Sequence, residues 1–176
     1  MTGFRQVGEE LAHRAHIFDV VDGTYEAPDG SSFHRTIVRH RGAVGVLAVV
    51  DDAVVLVKQY RASIDDHLLE LPAGIRDHDG EDPGDTAIRE LAEETGLRAG
   101  RVEHLITYYT AAGFTDEQVF LYEAHDIVAA EREADGIEET FMTIEHLPVS
   151  EIDDAIASGR IVDAKTIVAL LLLQRR

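Results

Sequence analysis

Two kinds of hydrophobic pattern run along the chain. Residues 17–26 and 33–40 are rich in Val, Ile, Phe and Tyr and flank Pro28-Asp29-Gly30, which predicts two strands joined by a turn. They would form a small N-terminal antiparallel β-unit. Residues 43–50 and 53–60 are near-continuous apolar runs around Asp51-Asp52 and predict a buried hairpin at the centre of a sheet. A short strand over 67–71 ends in Pro72-Ala73-Gly74, and a polar, Asp-rich loop follows. Asp82-Pro83 reads as an N-cap with Pro at the first helical position, and Gly96 as a stop, so a helix is predicted over 83–95. Residues 102–109 and 118–124 are further strands around a Gly-containing loop, 110–117. An acidic loop, 131–139, precedes a strand-like stretch at 141–144. The C-terminus predicts a helix, a break at Ser158-Gly159 and a second helix to Gln174. Strands mixed with about three helices indicate an α/β or α+β fold.

The helix over 83–95 carries an unusual face. At 100° per residue, Ile88, Leu91, Ala92 and Thr95 share one side and suit packing on a sheet. Glu90, Glu93 and Glu94 fall nearly opposite, at i, i+3 and i+4. Like charges at this spacing destabilise a helix by roughly 0.2–0.5 kcal/mol per pair. Taken alone, such a face is most simply a solvated one, and Arg89 stands four residues before Glu93 as an ion-pair partner.

Charge narrows the partners. The 176-residue chain has a net charge of −18, which argues against nucleic acid, where affinity comes from Lys and Arg on phosphates. A small phosphorylated substrate remains compatible if cations bridge the two. With no cysteine, disulfides and thiolate metal sites are excluded, and a reducing, cytoplasmic setting is expected. The polar first eleven residues are unlike a signal peptide, and the longest apolar run, 167–173, is too short to span a bilayer. The nine histidines show no zinc-type spacing.

The string from Gly74 to Leu97, G-I-R-D-H-D-G-E-D-P-G-D-T-A-I-R-E-L-A-E-E-T-G-L, resembles the box of the Nudix hydrolase family. That box reads Gly, Glu, then Arg-Glu-aliphatic-x-Glu-Glu-x-Gly-aliphatic, and every specified residue type is present. Six residues separate Gly74 from Glu81 where the usual box has five, a longer spacing that some ADP-ribose pyrophosphatases share. The resemblance gives the carboxylate face a purpose. Hard divalent cations take oxygen ligands and bridge carboxylates to substrate phosphates. By resemblance, Glu90 and Glu94 are the main metal ligands, with Glu93 beside them as a further ligand or catalytic carboxylate. The Ala73 carbonyl is an additional ligand, and Mg²⁺, with Mn²⁺ as a substitute, is the expected metal. Arg89 would orient the glutamates through Glu81, which reads equally as an acid favoured at a helix start.

Outside the box, K-Q-Y-R (58–61) followed by L-E-L-P-A-G is similar to the segment that precedes the box in ADP-ribose pyrophosphatases. This implies that Arg61 contacts the substrate diphosphate; the alternative is a surface Arg at a strand end. Arg35 and Gly113 are further substrate-contact expectations. The acidic loop D-G-I-E-E (135–139) aligns with the loop that carries the catalytic glutamate, so Glu139 or Glu138 is the expected base; the alternative is a solvated loop. The tail I-V-D-A-K-T-I-V-A-L (161–170) resembles the subfamily's terminal helix. Where ADP-ribose enzymes carry a characteristic proline, this chain has Ala112.

The resemblance covers roughly residues 15–174. It implies a mixed β-sheet between helices in a hydrolase domain over 42–176, with the N-terminal β-unit, 1–41, serving homodimerisation. The implied reaction is metal-dependent hydrolysis of a nucleoside diphosphate linked to another group, ADP-ribose first. The alternatives are a nucleotide-sugar pyrophosphatase, for example for GDP-mannose, and a non-catalytic ligand sensor, which the intact box disfavours.

Overall fold

The computed structural model describes residues 3–78, 80–133 and 137–176, except for the side chain of Glu138. In chain order the strands are β1 (Arg5–Arg14), β2 (Phe18–Glu26), β3 (Ser32–His40), β4 (Ala43–Leu47), β5 (Val49–Val50), β6 (Ala53–Arg61), β7 (Asp66–Glu70) and β8 (Ala73–Ile75). Helix α1 (Pro83–Thr95) leads to β9 (Leu97–Arg98), β10 (Arg101–Tyr109), β11 (Gln118–His125) and β12 (Val128–Ala129). Then come α2 (Ile137–Thr140), β13 (Thr143–Pro148), a 3-10 turn, α3 (Ile152–Ala157) and α4 (Ala164–Leu173). The chain divides into two compact units, Met1–Gly42 with Tyr108–Gln118, and Ala43–Thr107 with Val119–Arg176.

The first unit is built on an antiparallel sheet of order β1-β2-β3. Strand β1, in a stretch read from sequence only as polar, is exposed along its whole length. It buries neither face, so it needs no alternation of apolar and polar residues and leaves none to read. Its pairing with β2 also shifts register twice, between Gln6 and Gly8 and between Leu11 and His13. The loop 110–117 is tied to β3: Val38 N donates to the Phe114 carbonyl at 2.8 Å, and Asp116 accepts from Arg39 Nη1 at 3.1 Å and His40 N at 2.9 Å.

The second unit holds a four-stranded sheet of order β10-β11-β4-β8 and another of order β13-β6-β5, with β7 added beside β6. β4 is parallel to β11, with Val44 opposite Phe120, and antiparallel to β8, with Gly45 opposite Ala73. The expected central hairpin is corrected here. Only Val49–Val50 pairs with β6, whereas β4 pairs elsewhere, so the chain changes sheet at Ala48. Ala48 is fully buried, and its carbonyl accepts from Val55 N at 2.9 Å. Both apolar runs are buried on both faces, which lets each serve a different sheet and hides the crossing from the sequence. Asp51 and Asp52 close the tight turn with φ of 50° and 61°.

Val44 and Val46 point to one face of their sheet and form a core with Ala87 and Leu91 of α1. Gly45 points to the other face, where the Lys165 side chain of α4 passes. The sheet therefore lies between helices within this unit. The acidic stretch 131–139 also differs from a plain loop, since Ile137–Thr140 forms a helical turn too short to leave a periodic signal. The strand expected at 141–144 begins at Thr143 and extends to Pro148, and Phe141 is exposed. Among the described residues, no helix is long and apolar enough to cross a membrane.

Candidate active site

Helix α1 starts and stops as its sequence dictates. The Asp82 carboxylate accepts from Gly84 N at 2.8 Å, Pro83 takes a first-turn position, and Gly96 closes the helix in the left-handed region at φ 69°. Its acidic face is not the solvated face that spacing alone suggested. Glu90 is 8% exposed and Glu94 is 2% exposed. The helix packs on β4 with one side and on β8 with another, so both sides are covered. Glu94 accepts a hydrogen bond from Ala73 N at 3.0 Å, which fastens the helix to the residue before the box glycine. A Cβ at Gly74 would stand 1.9 Å from the Glu90 carboxyl carbon, so only glycine lets the strand and the carboxylate share this space.

The two buried carboxylates are held in strained electrostatic surroundings. Burial pushes the Glu90 carboxyl up to about 7; the Arg89 charge opposes this and Glu93 adds to it. Burial pushes Glu94 up to about 8 against the Ala73 hydrogen bond, and the charges of Glu90 and Glu139 raise it further. Arg89 forms a fan of contacts, with Nη1 2.8 Å from Glu90 and 2.9 Å from Glu93, and Nη2 3.3 Å from Glu81. Glu81 in turn accepts from the Thr86 hydroxyl at 2.9 Å. Arg89 thus orients both glutamates and is itself held by Glu81, the arrangement expected from the sequence. Glu93 is engaged with Arg89, while Glu90 and Glu94 form the buried pair.

The negative charge of Glu139 in α2 adds to the upward push on both Glu90 and Glu94. The Glu139 carbonyl accepts from Arg132 Nη2 at 2.8 Å, and α2 packs on β6. The side chain of Glu138 lies outside the described residues. A hard divalent cation suits this donor set. Glu90, Glu94 and the Ala73 backbone provide oxygen donors, and positive charge there would relieve two crowded carboxylates. Among the described residues, no three Asp, Glu or His side chains converge into a complete cage.

Arg61, at the end of β6, grips Glu70 of β7 in a two-pronged ion pair, Nε to Oε1 and Nη2 to Oε2, each 2.7 Å. The structure also places Lys165 of α4 on the same Glu70 carboxylate, with a second contact to Asp163 at 3.1 Å. Neither Glu70 nor Lys165 was singled out in the sequence. The two are 95 positions apart, and the only signal available was a Glu inside a strand that otherwise reads as buried. Arg35 and Gly113 belong to the first unit. There they share with Ala112 a cavity of about 400 Å³, whose walls include Tyr25, Phe33 and Phe114. Tyr25 stacks on Phe33 at 5.3 Å, and the Arg35 guanidinium lies 4.9 Å above the Phe33 ring.

Comparison with known proteins agrees with this geometry. The family model described as NUDIX domain matches residues 39–168. The chain is 41% identical over 150 residues to "Methanol dehydrogenase activator" of Bacillus methanolicus, covering 85% of this chain and 80% of that protein. It is 33% identical over 171 residues to "ADP-ribose pyrophosphatase" of Bacillus subtilis, covering 97% and 92%. A solved structure, "Crystal structure of ADP compounds hydrolase", shares the fold with a TM-score of 0.83 at 24% identity, over 98% of this chain and 93% of that one. With an intact box whose Glu90 is buried against Gly74 and Glu94 against Ala73, and with these relatives over most of its length, the chain belongs to the Nudix family.

Proposed function

We propose that this chain hydrolyses the diphosphate of ADP-ribose, giving AMP and ribose 5-phosphate, in a reaction that depends on Mg²⁺. The observation that carries this reading is the buried pair Glu90 and Glu94 against Ala73-Gly74. Such a pair is unfavourable without compensating positive charge, and a cation shared with a diphosphate supplies it. When bound, Mg²⁺ or Mn²⁺ offsets the charge that develops on the phosphoryl oxygens.

The remaining work falls to the chain's own residues. Glu139 takes the proton of the attacking water as one P–O bond forms and the bridging P–O bond breaks. Glu138, next to it, is the second choice for this role. Glu93 holds Arg89, and Arg89 keeps Glu90 turned to the site. Arg61 binds the diphosphate through the part of its guanidinium that Glu70 leaves uncovered. Arg35 and Gly113 are kept as substrate contacts on the resemblance alone. Relatives named for ADP-ribose hydrolysis, 33% and 36% identical over nearly the whole chain, support this substrate, and those named for GDP-mannose hydrolysis, 28% to 33% identical over a similar share, keep GDP-mannose as the alternative. We also propose a homodimer through the N-terminal unit, because β1 exposes Phe4, Val7 and Leu11 at or beside a sheet edge.

The test is product analysis with ADP-ribose and GDP-mannose in the presence of Mg²⁺, and again after chelation. AMP and ribose 5-phosphate formed from ADP-ribose, only with metal, is the expected result. No turnover of ADP-ribose alongside good turnover of GDP-mannose would replace the substrate. No turnover of any nucleoside diphosphate derivative would point to a ligand sensor.

A further inference from the structure

The ion network at the start of α4 takes no direct part in the chemistry described above, yet it reaches the site along a continuous path. Glu70 is 1% exposed, and a carboxylate buried that deeply is stable only if paired and hydrogen-bonded. It has two cationic partners. Arg61 covers both carboxylate oxygens through Nε and Nη2, and Lys165 Nζ contacts Oε2. The Lys165 side chain is itself only 12% exposed, and its ammonium lies between Glu70 and Asp163.

Asp163 is the N-cap of α4, accepting from Thr166 N at 2.9 Å and Thr166 Oγ1 at 2.6 Å. Thr166 Oγ1 accepts from Leu71 N at 2.8 Å. Consecutive residues of the helix's first turn, Lys165 and Thr166, therefore fasten consecutive residues of the chain, Glu70 by its side chain and Leu71 by its backbone. Two positions further on, Ala73 N holds Glu94. A lysine that served the helix alone would need only Asp163.

The consequence falls on Arg61. A fork on both oxygens of a fixed carboxylate sets the plane of the guanidinium. Among the described residues Nη1 donates to none, and the Arg61 side chain remains 38% exposed. We propose that Lys165, acting through Glu70, is a positioning residue for Arg61 and thereby for the substrate diphosphate. The first turn of the C-terminal helix is then part of the binding site's frame. This inference rests on the reading of Arg61 as a diphosphate ligand.

The experiment is steady-state kinetics on ADP-ribose with Mg²⁺ for Lys165→Met, Lys165→Arg, Arg61→Ala and the Lys165→Met/Arg61→Ala double variant, with a thermal melt of each. Lys165→Met is expected to lower kcat/KM by about 10–100-fold, the range of a lost charge-assisted contact, mainly through KM. Lys165→Arg should restore most of it. The double variant, made with Glu70→Gln so that no carboxylate is buried without a cation, should be no worse than Arg61→Ala alone, because the lysine acts through the arginine. If Lys165→Met does not fold, Lys165→Gln fills the space and is read by the same split. Arg61→Ala impaired while Lys165→Met behaves as wild type would overturn the brace and leave Arg61 standing. Losses that multiply in the double variant, or a fall in kcat with KM unchanged, would also overturn it. Arg61→Ala with wild-type kinetics would overturn the reading of Arg61 itself, and the brace with it.

Discussion

Glu94 and Glu70 are both buried, yet their surroundings move them in opposite directions. Burial raises both, but Arg61 and Lys165 outweigh it at Glu70, which ends below its ordinary value of 4.5. Glu94 has only the Ala73 hydrogen bond and a more distant Arg61 against it, and ends at about 8. The linkage signs follow. Glu70 stabilises the fold above pH 4.5, and that contribution is lost as pH falls through its lower folded value. Glu94 makes the metal-free fold weaken as pH rises from 4.5 through about 8, because the folded state then holds a proton the unfolded state has released. Metal-free Glu94→Gln is therefore expected to melt no lower than wild type at pH 8, while losing most of kcat in saturating Mg²⁺; melts and turnover at that pH check both. Unchanged turnover would remove Glu94 from the metal site. Glu139→Gln is expected to lower kcat by about 10²–10⁴-fold with KM little changed, the usual worth of a general base. If Glu139→Gln, Glu138→Gln and the double variant all keep wild-type kcat, the base lies elsewhere.

Helix α1 was legible to the residue at both ends because its signals are local: Asp82, Pro83 and Gly96 act on their immediate neighbours. Its acidic face was legible as a ligand set only by resemblance. Periodicity places Glu90 and Glu94 opposite Leu91, but it does not say that β8 covers them, since that depends on Ala73 and Gly74 meeting Gly45 and Val44 across a sheet. The same limit hid the split between β4 and β5 and the partnership of Glu70 with Lys165. Strand β1 was missed for want of a buried face, and α2 for want of length. The seam between α1 and β8 makes its own prediction. Gly74→Ala forces the Glu90 carboxylate out of its place, and activity is expected to fall at least about tenfold, the effect of misplacing a positioned group, while circular dichroism shows the fold retained. Wild-type kcat in that variant would mean that Glu90 works equally well elsewhere.

Two compact units and a net charge of −18 frame the whole molecule. Such charge opposes the approach of an anionic diphosphate, and in the proposed function Arg61 and a bound cation offset it locally. We propose, from the resemblance, that Ala112 relaxes selectivity where ADP-ribose enzymes carry a proline. The backbone of its loop is tied to β3, and Phe114 N donates to the Ala111 carbonyl at 3.0 Å, which puts Ala112 at the second position of a turn where proline is at home. Ala112→Pro is thus expected to fold normally and to sharpen the preference for ADP-ribose over other nucleotide sugars, compared as ratios of kcat/KM. An unchanged ratio would show that Ala112 does not relax the site. The central claim, that Glu90 and Glu94 with Ala73 form the seat of the metal, is tested most directly by titrating Mn²⁺ into the protein without substrate and comparing wild type with Glu94→Gln by calorimetry. Saturable binding is expected in wild type, weakened at least about tenfold in the variant, as for loss of a charged ligand. Equal affinity in the two proteins would contradict it.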